Sequence, residues 1–151
     1  MKQYEILDIS GDVGLRAFGK SIEELFINSA IGMYSLITDL NLIEEKKTVE
    51  IAVESSSLES LFVSWLNELI FHFDAYGFIG REIEINEFTP TLTLPPRGGG
   101  MSGGVLKATI SGEDFNPEKH ESKLLIKAAT YHKLRIEKIA DTWEAEVVFD
   151  I

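Results

Sequence analysis

The chain has 151 residues, with fourteen lysines and arginines against twenty-five aspartates and glutamates, and no cysteine. That length suffices for one well-buried core, since a domain this size removes roughly 70% of its unfolded surface from water without a metal or disulfide staple. The missing cysteines exclude disulfides, thiolate metal sites and cysteine catalysis, and a net charge of −11 disfavours stable nucleic-acid binding by the chain alone.

Tyr4–Ile9 and Val13–Phe18 read as short strands joined through Ser10-Gly11-Asp12. Ser21-Ile-Glu-Glu24 has capping-box spacing, with Glu24 able to reach the Ser21 amide. Ile22, Leu25, Phe26, Ser29, Ala30 and Met33 follow at three-and-four spacing, which predicts a helix of about four turns. Thr48–Glu54 alternates as a half-buried strand does. Ser56-Ser-Leu-Glu59 offers a second capping box, and the helix behind it carries a wide apolar stripe from Leu58 to Phe73, ending near Gly77. That stripe is broken by Ser64, Asn67, Glu68 and His72. No apolar run approaches the ~20 residues of a membrane span, and no secretory leader pattern follows Met1, so a cytoplasmic protein is expected.

The remainder is β-rich, with strands expected at Glu82–Phe88, Thr91–Leu94, Val105–Ser111, Leu124–Thr130, Lys133–Ile139 and Trp143–Phe149, the last two joined at Ala140-Asp141. Residues 95–104 hold five glycines and two prolines, too many for a regular element, and read as a mobile loop within one domain spanning residues 1–151. The loop lacks the Gly-Lys-Ser/Thr ending of a P-loop and precedes a strand, which argues against a phosphate cradle. The expected class is α+β: a two-layer single domain with a mostly antiparallel sheet and two main helices.

Charge is unevenly spread. Residues 1–75 carry five basic and thirteen acidic side chains, while Lys119, Lys123, Lys127, Lys133, Arg135 and Lys138 make a local basic segment. Such a balance favours cations or a basic protein partner. Three histidines are too scattered for a transition-metal site; His72 reads as a helix-end residue and His120 as solvated. His132 closes Lys127-Ala-Ala-Thr-Tyr-His132, a cluster read as either functional or structural. No Gly-x-Ser-x-Gly elbow appears. Asp12, in a Gly-flanked turn, and Asp150, beside the α-carboxylate of Ile151, would together make an oxygen-rich site for Ca²⁺, Mg²⁺ or Mn²⁺. Spacing alone does not bring residues 12 and 150 together.

These positions also carry a resemblance. Tyr4–Gly19 with Asp12, Ser21–Phe26, Trp65-Leu-Asn-Glu-Leu69, Gly112-Glu113, Lys127–His132 and the closing Phe149-Asp150-Ile151 resemble the archease family, nearly end to end. One stretch departs from it, for the family usually reads His-Thr-Ala-Asp where this chain has Ile9-Ser10-Gly11-Asp12. The resemblance implies a divalent metal site at Asp12, Asp150 and Ile151, with Ca²⁺ favoured and Mg²⁺ or Mn²⁺ as alternatives. It further implies Lys127 and His132 as contacts to a partner or phosphate. The implied role is a non-catalytic activator in tRNA splicing or RNA repair, assisting a GTP-dependent ligase that joins RNA 3′-phosphate ends to 5′-hydroxyls. The activator would promote guanylylation of the ligase and its turnover. The alternative is a chaperone or specificity modulator of a tRNA methyltransferase. A free-standing metal hydrolase is the weakest reading, because no general base stands beside the carboxylates.

Overall fold

The computed structural model describes residues 2–90 and 103–151. In chain order these form β1 (Tyr4–Ile9), β2 (Asp12–Gly19), α1 (Ile22–Ile37), a short 3-10 turn (Leu40–Leu42), β3 (Lys47–Ser55), α2 (Leu58–Tyr76), β4 (Phe78–Pro90), β5 (Gly104–Asp114), β6 (Ala128–Ala129), β7 (Arg135–Ile139) and β8 (Thr142–Asp150). The class is α+β. The strands divide between two antiparallel sheets, one running β1-β2-β8-β6 with β7 also on β8, the other β3-β5-β4.

Both helices start where side-chain caps allow. Ser21 accepts from the Glu24 amide at 3.1 Å, while Glu24 reaches back to the Lys20 amide at 3.3 Å rather than to Ser21. The second cap is Ser57, not Ser56: its hydroxyl accepts from the Ser60 amide at 3.1 Å. The helix α2 stops at Gly77, which takes the left-handed φ of 73° that closes a helix with returning N–H bonds to His72 and Phe73. Among the described residues no helix is long and apolar enough to cross a membrane.

Each helix touches both sheets, so one core serves the whole fold. Leu15 and Ala17 of β2, Phe26 and Met33 of α1, and Leu61, Phe62 and Trp65 of α2 are buried there with Ile110 of β5 and Val147 and Phe149 of β8. Trp65 is fully buried, and its indole N–H donates to the Phe26 carbonyl at 3.0 Å, so the largest core side chain keeps its polar atom satisfied.

Several expected elements differ. Leu124–Thr130 is a strand only at Ala128–Ala129. The reason lies in α1, whose last carbonyls need donors: the Lys123 and Leu124 amides bond to Ile37 and Leu36 at 2.9 and 3.1 Å instead of joining a sheet. Strand β7 starts at Arg135 because Lys133 has a φ of 53°, which a strand does not accommodate. Strand β4 is longer than expected and carries register shifts at Gly80/Glu82 and Ile85/Glu87. Thr91–Leu94 and most of the glycine-rich segment lie outside the described residues; Gly104, its last residue, opens β5. The expected basic segment is also partly spent. Arg135 pairs with Glu137, Glu144 and Glu146, and Arg16 pairs with Glu146, in a ladder of alternating charge across β2, β8 and β7.

Candidate functional site

The hairpin β1–β2 turns at Ser10-Gly11, where Gly11 has the positive φ of 81° that the tight reversal requires. Asp12 is thereby the first residue of β2, paired with Ile9 across the hairpin. On its other side β2 pairs with β8, with Val13 opposite Phe149. Continuing that antiparallel register by one step sets Asp12 beside Asp150. Asp12 is half-buried and Asp150 exposed, so both carboxylates can be reached from solvent.

A third element closes on the same end of β8. The Lys127 amide donates to the Asp150 carbonyl at 2.8 Å, and Ala128 pairs with Asp150. The Lys127 side chain is exposed and, among the described residues, pairs with no carboxylate, whereas carboxylates hold Lys119 and Arg135. His132 is exposed too, five residues further on; its amide donates to the Thr130 hydroxyl at 3.3 Å. That hydroxyl donates in turn to the Val148 carbonyl at 2.8 Å. The structure thus brings Asp12, Asp150, Ile151 and the Lys127 backbone to one sheet end, with His132 in the turn beyond β6. Among the described residues no three His, Cys, Asp or Glu side chains gather as a metal cage. A cation here would depend on the Asp12 and Asp150 pair with the carboxylate of Ile151, an all-oxygen donor set of the kind hard cations take.

Sequence reasoning missed Asn67. Its carboxamide bonds both backbone groups of Ala129: Oδ1 accepts from the N–H at 2.8 Å and Nδ2 donates to the carbonyl at 3.3 Å. This ties α2 to β6, the element beside Asp150. The available signal was a polar residue interrupting the apolar run Trp65–Leu69.

A second cluster also escaped. Glu113 is 5% exposed and sits in a ring of donors: the Glu44 amide at 2.5 Å, Lys119 Nζ at 3.1 Å and Lys46 Nζ at 3.8 Å. Burial by itself would raise its pKa, but the Glu44 amide and Lys119 outweigh burial and hold the carboxyl at about 2. His120, expected to be solvated, is 3% exposed instead. Its Nδ1 accepts from the Asn116 amide at 2.8 Å, which fixes the proton on Nε2, and Nε2 faces Glu113 Oε2 at 3.3 Å outside good hydrogen-bond alignment. The Phe115 ring, 5.6 Å away, covers it. This cluster lashes the segment after β5 to the segment before β3, and is structural.

A two-layer arrangement of two helices on antiparallel sheets, with Asp12 and Asp150 at the end where the first hairpin meets β8, defines a small α+β class. Residues 4–151 match the archease protein family. Protein archease of Pyrococcus abyssi is 39% identical over 153 residues, covering all of both chains. Protein archease of Methanosarcina acetivorans is 35% identical over 150 residues, covering 99% of this chain and 97% of that one. Among solved structures, protein 1598 of Methanobacterium thermoautotrophicum superposes with a TM-score of 0.78 at 28% identity, covering both chains fully. The chain belongs to the archease family.

Proposed function

We propose that this protein is a metal-dependent accessory protein that activates a GTP-dependent RNA ligase by promoting ligase guanylylation. The observation that carries the reading is the register of β2 on β8, which sets Asp12 beside Asp150 where the Lys127 amide already binds the Asp150 carbonyl. Two side-chain carboxylates, with that of Ile151, would hold a divalent cation, Ca²⁺ above Mg²⁺ or Mn²⁺. When bound, that ion would neutralise charge on a nucleoside triphosphate or its leaving pyrophosphate.

The remaining work falls to the chain's own groups. Asp12 and Asp150 orient the site toward solvent, at the end of the sheet where a partner can approach. Lys127 reaches from the same edge toward a phosphate or a ligase carboxylate, and His132 extends that edge. The net charge of −11 suits docking onto an enzyme with a basic RNA channel and makes association fall as salt rises. Ile9, opposite Asp12, replaces the histidine usual in the family and leaves one flank of the site apolar.

Single-turnover guanylylation of the cognate ligase with GTP and Mn²⁺, with and without this protein, tests the reading. Stimulation that vanishes with folded Asp12→Asn is the expected result; equal stimulation by the variant overturns it. No stimulation by the wild-type protein would favour the chaperone role. A Thermotoga maritima structure of similar fold, with a TM-score of 0.60 and 22% identity over 96% of this chain and 94% of that one, is described as an archease and possible chaperone.

A further inference from the structure

The last two turns of α2 present an aromatic surface left exposed among the described residues. Phe71 is 52% exposed and Tyr76 64% exposed, whereas Phe26, Tyr34, Phe62, Trp65, Phe78 and Phe149 are buried. Their rings are organised: Phe71 and His72 stand edge to face at 5.7 Å, Phe71 and Tyr76 at 6.0 Å, and His72 lies 5.6 Å from Tyr76. Exposed rings locked against one another lose little further entropy when a ligand settles on them.

The charge that the helix itself carries has one sign. The helix carries Glu59, Glu68 and Asp74 and no lysine or arginine. Glu68 lies on the aromatic patch itself, its carboxylate 3.4 Å from His72 Nε2, and Asp74 stands three residues after Phe71, on a neighbouring part of the helix surface. The C-terminal end of a helix adds partial negative charge from its last carbonyls, and here no basic side chain occupies the last turn. Ring faces, carboxylates and a helix C-terminus all attract the same ligand, a flat cation able to stack and to bond a carboxylate at once.

The patch is also continuous with the candidate site. Asn67, which holds Ala129 of β6, lies one helical turn before Phe71 on the same side of α2. A partner seated at Asp150 and Lys127 would extend along this helix face.

We propose that Glu68, Phe71, His72, Asp74 and Tyr76 form a docking surface for an arginine-bearing segment of a protein partner. The proposal rests on the protein-partner reading above and adds the side-chain chemistry that this partner presents. Arginine is preferred over lysine because its guanidinium stacks on Phe71 and Tyr76 while bonding Glu68.

The test is an NMR titration of the isotope-labelled protein with a Gly-Arg repeat peptide, and with its Gly-Lys counterpart. Saturable shifts centred on residues 67–77, stronger for the arginine peptide, are expected. The double variant Phe71→Ala/Tyr76→Ala should weaken binding by about tenfold, the order expected for losing two cation–π contacts. Glu68→Lys, a surface change that leaves the rings in place, should weaken it as well. Shifts spread evenly over the acidic surface, equal affinity for both peptides, or undiminished binding by either variant would overturn the proposal. The titration contains no ligase, so its failure removes this surface and leaves the guanylylation test standing. A null guanylylation result, conversely, does not alter the shifts.

Discussion

The side chain of Asn67 completes the β-pairing of Ala129, taking its N–H at 2.8 Å and giving an N–H to its carbonyl at 3.3 Å. A two-residue strand cannot hold itself against β8 with so few ladder bonds, and here a helix supplies the pairing on its open side. Replacing Asn67 by Ala leaves both backbone groups without that partner, a loss of about 1–3 kcal/mol. Urea unfolding should show the lower stability, and hydrogen exchange at the Ala129 amide should quicken. Unchanged exchange at that amide would mean that β8 alone fixes β6.

Glu113 makes stability depend on acid. Its folded pKa of about 2 lies below the ordinary carboxylate value, so the unfolded chain takes up the proton first as pH falls. The stabilisation is therefore complete above about pH 4.5 and drains away between there and about pH 2. Thermal unfolding across that range should show the midpoint falling. In Glu113→Gln the midpoint should start lower at neutral pH and fall less, since the group that titrates is gone.

Gly112 is needed for closeness rather than flexibility. A Cβ there would overlap the Ile79 carbonyl oxygen across the β4–β5 pairing, and backbone cannot move aside as a side-chain tip can. Gly112→Ala should cost about 3 kcal/mol, at the upper end for forcing atoms into a packed site. Equilibrium denaturation measures this directly, and a change below about 0.5 kcal/mol, the size of an ordinary surface substitution, would contradict the packing argument.

Trp65 joins the two helices. In Trp65→Phe the buried Phe26 carbonyl loses its indole donor and a cavity opens beside it, for a combined cost of about 2–3 kcal/mol. Chemical denaturation should register it without any change in the number of transitions.

Lys127 separates activity from stability. Its side chain is exposed, so Lys127→Ala should move the unfolding free energy by no more than about 0.5 kcal/mol. Under the proposed function the same substitution should reduce stimulation of guanylylation. A variant that stimulates fully would remove the lysine from the mechanism and leave the carboxylates in it.

Local features of this chain were readable without coordinates. The spacing of Leu25, Phe26 and Met33 and of Leu61, Trp65 and Leu69 marks both helices, because a helix repeats its buried face every three to four residues whatever lies opposite. Alternation marks β2 and β3 for the equivalent reason. Reading failed where a residue answers to a distant partner. Leu124 has strand-like composition, yet its amide serves the end of α1; His120 sits in a polar segment, yet Phe115 and Glu113 enclose it. Ser57 took the cap expected of Ser56 because two serines in a row leave local rules undecided.

The sequence by itself determined the class of fold, both helices, the acidic balance and, through its resemblance, the family and the residues worth testing. It did not determine which strands are neighbours. A strand's period says which side chains share a face, but the partner edge is chosen by hydrogen-bond register and by the core that both strands help to cover. Only the order β1-β2-β8-β6 brings residue 12 to residue 150 and sets residue 127 against the same rung. Asn67 on Ala129 and Glu113 against Glu44 are likewise contacts between segments far apart in the chain. Such contacts leave no periodic trace in sequence, because each is a single polar pairing made possible by packing everywhere else.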